Sequence, residues 1–370
     1  MCIVLLTTSH PKYALIVLDN RDEYILRPTS KPHWWTAKPE SNHDSGADAS
    51  QTSREIEVLS SRDLQRAEHG TWLGITKGGN FAVLTNYRET NTHDATHPVH
   101  GKRSRGGMVT AWLAADPEQP TNEFVRNMLE SGDVKGVGGF SLVCGKLRKL
   151  KGEKKIQPLA ILSNLCDNPD QVPWICGQRG YEYGLSNAVY QDLVDNVKEG
   201  STEPIWPKIH QGASLLSQAL AVTVGDDIAE EELVQILFKI LDVDKFPSKH
   251  TMDLEEGIPL LKDSIFIPAF GGEEHQRDML AARQRGSIKQ TERGSAAEAL
   301  TIEARPDDQP NGFQTGLYGT QRQTVILVDW DGNVTYTERA LWDSFGNPIE
   351  RGTGDETFKF KIEDWEVESN

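Results

Sequence analysis

Two apolar runs open the chain, Cys2–Thr7 and Tyr13–Asn20, on either side of the turn signal Ser9-His10-Pro11-Lys12. Both are rich in β-branched and aliphatic residues with almost no polar interruption. They predict a β-hairpin whose strands are covered on both faces. Strands that turn near Pro11 pair residues whose numbers sum to roughly 22–24, because antiparallel strands match residue for residue. Cys2 then falls opposite the stretch Asn20 to Asp22, inside the polar cluster Asn20-Arg21-Asp22-Glu23. Alternation along the strand sets Arg21 and Glu23 on one face, Asn20 and Asp22 on the other.

A second hairpin is predicted at Thr71–Thr76 and Phe81–Asn86, around the glycine-rich turn Lys77-Gly78-Gly79-Asn80. Helical spacing follows at Met108, Val109, Trp112 and Leu113, and again at Phe124, Val125, Met128 and Leu129, closed by Gly132. Asp116-Pro117-Glu118-Gln119 reads as a capping box for that second helix. Strands return at Phe140–Cys144 and Pro158–Ser163, joined by the basic stretch Lys146–Lys155, which reads as a solvated hairpin loop or a site for a phosphate-bearing ligand. Helices are expected over Tyr190–Val197, Ala213–Ala221 and Asp227–Leu241, the last with Asp227 and Glu230 as a cap. Thr324–Trp330 and Val334–Glu338 form a closing hairpin about Asp331-Gly332, before a last strand at Phe358–Ile362. Two polar stretches, near 36–63 and 286–311, read as surface inserts. Strands grouped in hairpins, with helices between the groups, predict an α+β fold of antiparallel sheets in a single domain over residues 1–370.

The chain has 370 residues and a formal net charge of −16. Such an acidic excess repels phosphate backbones and anionic lipid, so neither nucleic acid nor a membrane surface is the expected partner. Four scattered cysteines, Cys2, Cys144, Cys166 and Cys176, fit a reducing compartment and no disulfide scaffold. No apolar run is long enough to span a bilayer, and the N-terminus is apolar, not arginine-rich as in a transit peptide; the cytosol is the default location. His93, His97 and His100 have metal-like spacing but lie in a loop, and no metal site is assigned to them. Gly136, Gly138 and Gly139 precede a strand and so fail the dinucleotide-binding context.

Chemistry concentrates at Cys2. A small second residue permits removal of Met1, which leaves an α-amine of pKa about 8 beside the thiol, able to act as its general base. The alternative is a small core thiol on a buried strand. Arg21 near the thiol favours its thiolate, and Asp22 is placed to hold the amine.

Six ordered blocks carry a resemblance: Met1-Cys2; Asn20-Arg21-Asp22-Glu23; Gly70-Thr71-Trp72-Leu73-Gly74; Leu84-Thr85-Asn86-Tyr87-Arg88; Tyr183-Gly184-Leu185-Ser186-Asn187-Ala188; and Tyr318-Gly319-Thr320 leading to Thr324–Asp329. Together they resemble the NRDE family, also called the transport and Golgi organisation protein 2 family, from residue 1 to about 340. That family is similar to N-terminal-nucleophile hydrolases of the cholylglycine hydrolase and penicillin acylase-like branch.

The resemblance implies a four-layer αββα sandwich. It makes Cys2 the nucleophile, Arg21 and Asp22 its electrostatic partners, and Asn86 and Asn187 the donors to an oxyanion. It implies ligand contacts from Asn20, Glu23, Trp72 and Tyr183. Family members often carry Arg directly after Tyr-Gly-Thr; here Gln321 intervenes before Arg322, and one step along a strand reverses the face. The implied activity is a cysteine hydrolase or acyltransferase acting on an amide or thioester of a lipid-like acid. The alternative is a carrier of haem or acyl-coenzyme A in the same pocket, within lipid and haem homeostasis and Golgi organisation. No cofactor is required, haem being a bound ligand, and a mitochondrial or Golgi association is implied.

Overall fold

The computed structural model describes residues 2–37, 55–87, 104–135, 137–190, 206–225, 228–247, 252–293 and 315–368. Its strands are β1 (Ile3–Thr7), β2 (Tyr13–Tyr24), β3 (His33–Ala37), β4 (Ile56–Ser60), β5 (Leu73–Thr76), β6 (Asn80–Asn86), β7 (Phe140–Lys146), β8 (Lys149–Leu150), β9 (Leu159–Ser163), β10 (Trp174–Ile175), β11 (Glu182–Leu185), β12 (Tyr318–Asp329), β13 (Asn333–Ala340), β14 (Asp355–Lys361) and β15 (Glu366–Val367). The helices of two turns or more are α1 (Gly106–Leu113), α2 (Thr121–Glu130), α3 (Pro207–Gly225), α4 (Glu230–Leu241) and α5 (Glu273–Arg293).

Two antiparallel sheets carry the fold. One runs β11-β1-β2-β12-β13-β14, the other β10-β9-β7-β6-β5-β4-β3. The opening hairpin is central in the first sheet, and its two-sided apolarity has a direct structural cause. Val4, Leu6, Leu15 and Val17 point to the second sheet and pack with Leu59, Leu73, Ile75 and Phe81. Ile3, Leu5, Ile16 and Leu18 point the other way, against Ile209 and Leu216 of α3 and Leu237 and Phe238 of α4. On the outer face of the second sheet, Trp112 of α1 and Phe124 of α2 pack over Ala82, Leu84 and Leu142. The order of layers is therefore helix, sheet, sheet, helix, the expected αββα sandwich.

Helix α3 lies close on the first sheet because two glycines let it. A Cβ at Gly184 would meet Ile209 Cγ2 at 2.4 Å, and one at Gly212 would meet Leu5 Cδ1 at 2.7 Å. Bare backbone at both contacts brings the first turn of α3 down onto β1 and β11.

Several local expectations change. The polar stretch near 36–63 contains β4, whose Val58 and Leu59 are fully buried and pair with β3. The stretch near 286–311 begins inside α5, which runs to Arg293. Asp116 caps no helix: its Oδ1 accepts from the Glu118 N–H at 2.8 Å in a local turn, and α2 has Pro120 as N-cap. Helix α4 starts at Glu230 behind Ala229, and Asp227 lies outside the described residues, as do 191–197 of the expected helix after Tyr190. Helix α3 begins at Pro207, ahead of the expected Ala213, with proline in its favoured first-turn place. The basic stretch is matched by acid from the end of the chain: β8 pairs in parallel with β15, and Lys149 meets Glu366 at 2.7 Å. Among the described residues no helix is long and apolar enough to cross a membrane.

Candidate active site

The register of the first sheet assembles the site. In β1 and β2, Ile3 pairs with Asn20 and Val4 with Asp19, so the same ladder carried one step further sets Cys2 opposite Arg21. On the other side, Val4 pairs with Leu185, the last residue of β11, and the Ser186 hydroxyl that follows donates to the Cys2 carbonyl, which brings Asn187 to the same end of β1. Across the next ladder Arg21 pairs with Arg322. Cys2, Arg21 and Arg322 thus form one rung across three neighbouring strand lines, with Asn187 just past the end of the fourth. Directly opposed residues share a face, and Val4 and Asp19 establish that this face is turned toward the second sheet.

Arg322 joins the rung through a β-bulge. Thr320 pairs with Asp22 and Arg322 with Arg21, leaving Gln321 as the extra residue. A bulge restores the facing that an inserted residue would otherwise reverse. Gln321 is also a bracket: its Oε1 accepts from Arg21 Nη2 at 2.9 Å, while its Nε2 donates to the carbonyls of Ile25 and Arg27 at 3.2 and 3.1 Å. Neighbouring strands lie about 4.8 Å apart, so Arg322 is about 10 Å from Cys2 at the backbone. Its Nη1 is paired with Glu338 Oε1 at 3.0 Å. Glu338 in turn accepts from Ser61 Oγ and, at 3.1 Å, from the Tyr336 hydroxyl.

Arg21 is fully buried. Besides Gln321 it donates to Thr29 Oγ1 at 3.2 Å, and its guanidinium lies 4.7 Å from the Trp72 ring centroid. Arg27 lies 5.3 Å from the same ring and is held by Asp63 at 2.7 Å and Glu23 at 3.2 Å. Trp72 and Glu23 therefore meet the site through arginines. Asp22 accepts from Thr320 Oγ1 at 2.7 Å through its side chain and from the Tyr318 hydroxyl at 2.9 Å through its carbonyl. Its backbone N–H donates to Cys2 Sγ.

Beside the Cys2 end of the rung, just past β11, the Asn187 amide donates to the Asn86 carbonyl, tying the first sheet to the end of β6. One N–H of that amide is spent there; an amide has two. The Ser186 hydroxyl lies 2.8 Å from the Cys2 carbonyl and 3.0 Å from Asn187 Oδ1. It joins the backbone of the nucleophile candidate to the donor candidate.

Two expected ligand contacts are placed elsewhere. The Asn20 amide turns to the helix layer and donates to the carbonyls of Leu241 and Ile265, both at 2.9 Å, because alternation sets it on the Ile3 face. Tyr183 pairs with Leu6, four residues along β1 from Cys2, or roughly 13 Å at strand rise. His93, His97 and His100 lie outside the described residues, and among those described no cluster of three or more His, Cys, Asp or Glu side chains could hold a metal.

Burial dominates the electrostatics. It pushes the Cys2 thiol up to about 12, with the charges of Asp19 and Asp22 adding to the effect. It raises Asp19 to about 8 against the pull of Arg21, and Asp22 to about 6 against the pull of Lys208 and the hydrogen bond from Thr320. Asp19, Arg21, Ser61, Thr71, Trp72 and Glu338 line a small polar cavity between the sheets.

Three residues that the sequence reading passed over belong to this neighbourhood. Ser186 lies in the Tyr183–Ala188 block between Leu185 and Asn187, with nothing in its local sequence to mark its hydroxyl. Arg105, at the start of α1, is brought in by a close backbone approach: a Cβ at Gly70 would meet the Gly106 carbonyl carbon at 2.6 Å. Its Nη1 donates to the Gly139 carbonyl at 3.0 Å, and burial lowers it to about 10 against the charges of Glu23 and Cys2. Lys208, in the first turn of α3, is 0% exposed, and burial lowers its ammonium, opposed chiefly by the charge of Asp22. Pro207 was a readable helix-start signal for it; its burial was not readable.

The family model described as Transport and Golgi organisation 2 matches residues 1–343. A Bos taurus Transport and Golgi organization protein 2 homolog is 27% identical over 352 residues, covering 93% of this chain and 94% of the relative. The Homo sapiens homolog is 26% identical over 349 residues, with coverage of 93% and 94%. Among solved structures, the C2A mutant of conjugated bile acid hydrolase from Clostridium perfringens aligns at a TM-score of 0.40 and 12% identity, covering 100% of this chain and 99% of that one. The family model spans nearly the whole chain, including every strand of the rung, and the chain belongs to the Transport and Golgi organisation 2 family.

Proposed function

We propose that this protein is an N-terminal-nucleophile cysteine hydrolase or acyltransferase acting on an amide or thioester of a lipid-like acid. The rung Cys2, Arg21, Arg322 carries the reading, since it gathers a thiol and two guanidiniums on one face of one sheet, with the amide of Asn187 just past the end of β11. Removal of Met1 frees the Cys2 α-amine, which takes the Sγ proton. Sγ then attacks the acyl carbon. The second N–H of Asn187, the Asn86 amide and the charge of Arg21 hold the oxyanion. The leaving amine or thiol departs with the proton, and water or an acceptor takes the acyl group from Sγ. Asp22 steadies the nucleophile through its backbone N–H. Intact-mass measurement is expected to show loss of Met1, and iodoacetamide is expected to label Cys2 before Cys144, Cys166 or Cys176. Retained Met1 with an unreactive Cys2 removes the reading.

One observation favours a second reading, a carrier of haem or acyl-coenzyme A: Cys2 is 2% exposed, and that burial raises its thiol against ionisation. Titration of haem and palmitoyl-coenzyme A into the wild type and Arg21→Ala tests it; binding weakened by the substitution supports a carrier, and no binding of either removes it.

A further inference from the structure

A cavity opens between the sheets past Asn187. It encloses about 260 Å³, with walls of Ile161, Leu165, Pro173, Val189 and Tyr190. Ile161 pairs with Val143, and both belong to the core between the sheets. Alternation along β9 puts Ser163, which also lines the cavity, on that same inner face. The cavity therefore lies on the side of the second sheet that meets the Val4 face of the first, the face that Cys2 shares.

Two routes bound its distance from the candidate oxyanion donors. Val189 follows Asn187 by two residues, and an extended chain covers at most about 7 Å in two residues. Thr85, the neighbour of Asn86, pairs with Ser141, and Ser141 pairs with Ser163. Two strand spacings, roughly 10 Å, separate Thr85 from the cavity wall. The Ala188 carbonyl accepts from Ser141 Oγ at 3.2 Å, and the Ser186 carbonyl from Thr85 Oγ1 at 2.8 Å. These bonds fasten the stretch that carries Asn187 onto the second sheet beside the cavity.

The walls are apolar in character. None of the described residues lining the cavity is charged. Its polar members are engaged elsewhere: Ser163 Oγ lies 3.4 Å from Cys166 Sγ and accepts from the Leu165 N–H at 3.3 Å, and Gln171 Oε1 accepts from the Asp167 N–H at 2.7 Å. An apolar cavity of about 150 Å³ takes up benzene, and at about 30 Å³ for a group the size of water this larger one holds roughly eight methylenes. Leu165 is 40% exposed, so a longer chain leaves the cavity along it. Arg21 and Arg322 lie on the other side of Cys2. An apolar acyl tail and a polar leaving group are thus given opposite sides of the thiol.

We propose that this cavity binds the tail of the acyl group, an unbranched hydrocarbon chain filling it at about eight carbons, with the acyl carbon at Asn86 and Asn187. The inference rests on the proposed hydrolase reading for that orientation; occupation of the cavity needs no reaction.

The test uses Cys166, a buried wall residue, as the reporter. The full chain is alkylated with iodoacetamide in the presence of butanoate, hexanoate, octanoate or dodecanoate, and each cysteine is followed by peptide mass spectrometry. The concentration that halves the Cys166 rate is expected to fall about fourfold per added methylene up to octanoate and then to level, while Cys144 and Cys176 keep their rates. Val189→Trp and Leu165→Trp fill the cavity from two wall positions that are not fully buried, and each is expected to abolish the protection. Protection without dependence on chain length, or none, overturns the proposal in the wild type alone, whatever the variants do. Acylation of Cys2 by an octanoyl thioester is read in the same samples. Length-dependent protection of Cys166 without acylation keeps the cavity and removes the hydrolase. Acylation that proceeds without protection, and equally in both tryptophan variants, keeps the hydrolase and overturns the cavity.

Discussion

Arg322 stands directly opposite Arg21 because Gln321 is squeezed out of the ladder between β12 and β2. Two like charges on one rung of a buried face repel, and the arrangement depends on what surrounds them. Glu338 takes up Arg322 at 3.0 Å, while Gln321 and Thr29 hold Arg21.

Gln321→Ala removes three hydrogen bonds at once and leaves the carbonyls of Ile25 and Arg27 and one Arg21 donor without that partner. A buried polar group left unsatisfied costs about 1–3 kcal/mol, so a loss at least in that range is expected in urea unfolding, with the slope unchanged. A midpoint within error of wild type would mean the bulge is not held by its side chain.

The bulge was invisible in the sequence for a physical reason. Its pairing partner lies 300 residues away, and a one-residue insertion shows only against that partner. The opening hairpin was legible because two-sided burial demands two-sided apolarity, and register arithmetic along β1 and β2 brought Cys2 to Arg21. Strand β4 was hidden in polar sequence, since only Ile56, Val58 and Leu59 mark it. The depth of Lys208 is a tertiary fact: a lone lysine after Trp206-Pro207 reads as surface until α3 is seated on Gly184.

Asn20→Ala separates fold from chemistry. Its amide joins β2 to the carbonyls of Leu241 and Ile265 in the helix layer. The expected outcome is a stability loss of about 1–3 kcal/mol by urea unfolding, with the rate of Cys2 alkylation unchanged under native conditions. A changed alkylation rate in a variant that remains folded would return Asn20 to the ligand side.

Asp19 gives a pH signature. Burial raises its carboxyl from 3.8 to about 8 in the folded protein. The folded state therefore holds a proton that the unfolded chain has released, so this contribution to stability is complete below about pH 4 and is lost as pH rises toward about 8. Asp19→Asn should be more stable than wild type above pH 8, relative to the difference between them at pH 4. Parallel stability curves across that range would mean that Asp19 titrates as an exposed carboxylate does.

The identity of Cys2 as a nucleophile is decided by mass spectrometry of the purified full chain after incubation with a palmitoyl thioester. One acyl adduct is expected, on Cys2 of a chain that has lost Met1, absent from Cys2→Ala and formed more slowly in Arg21→Ala. A chain that keeps Met1 and gains no adduct, or an adduct that persists in Cys2→Ala, would contradict it.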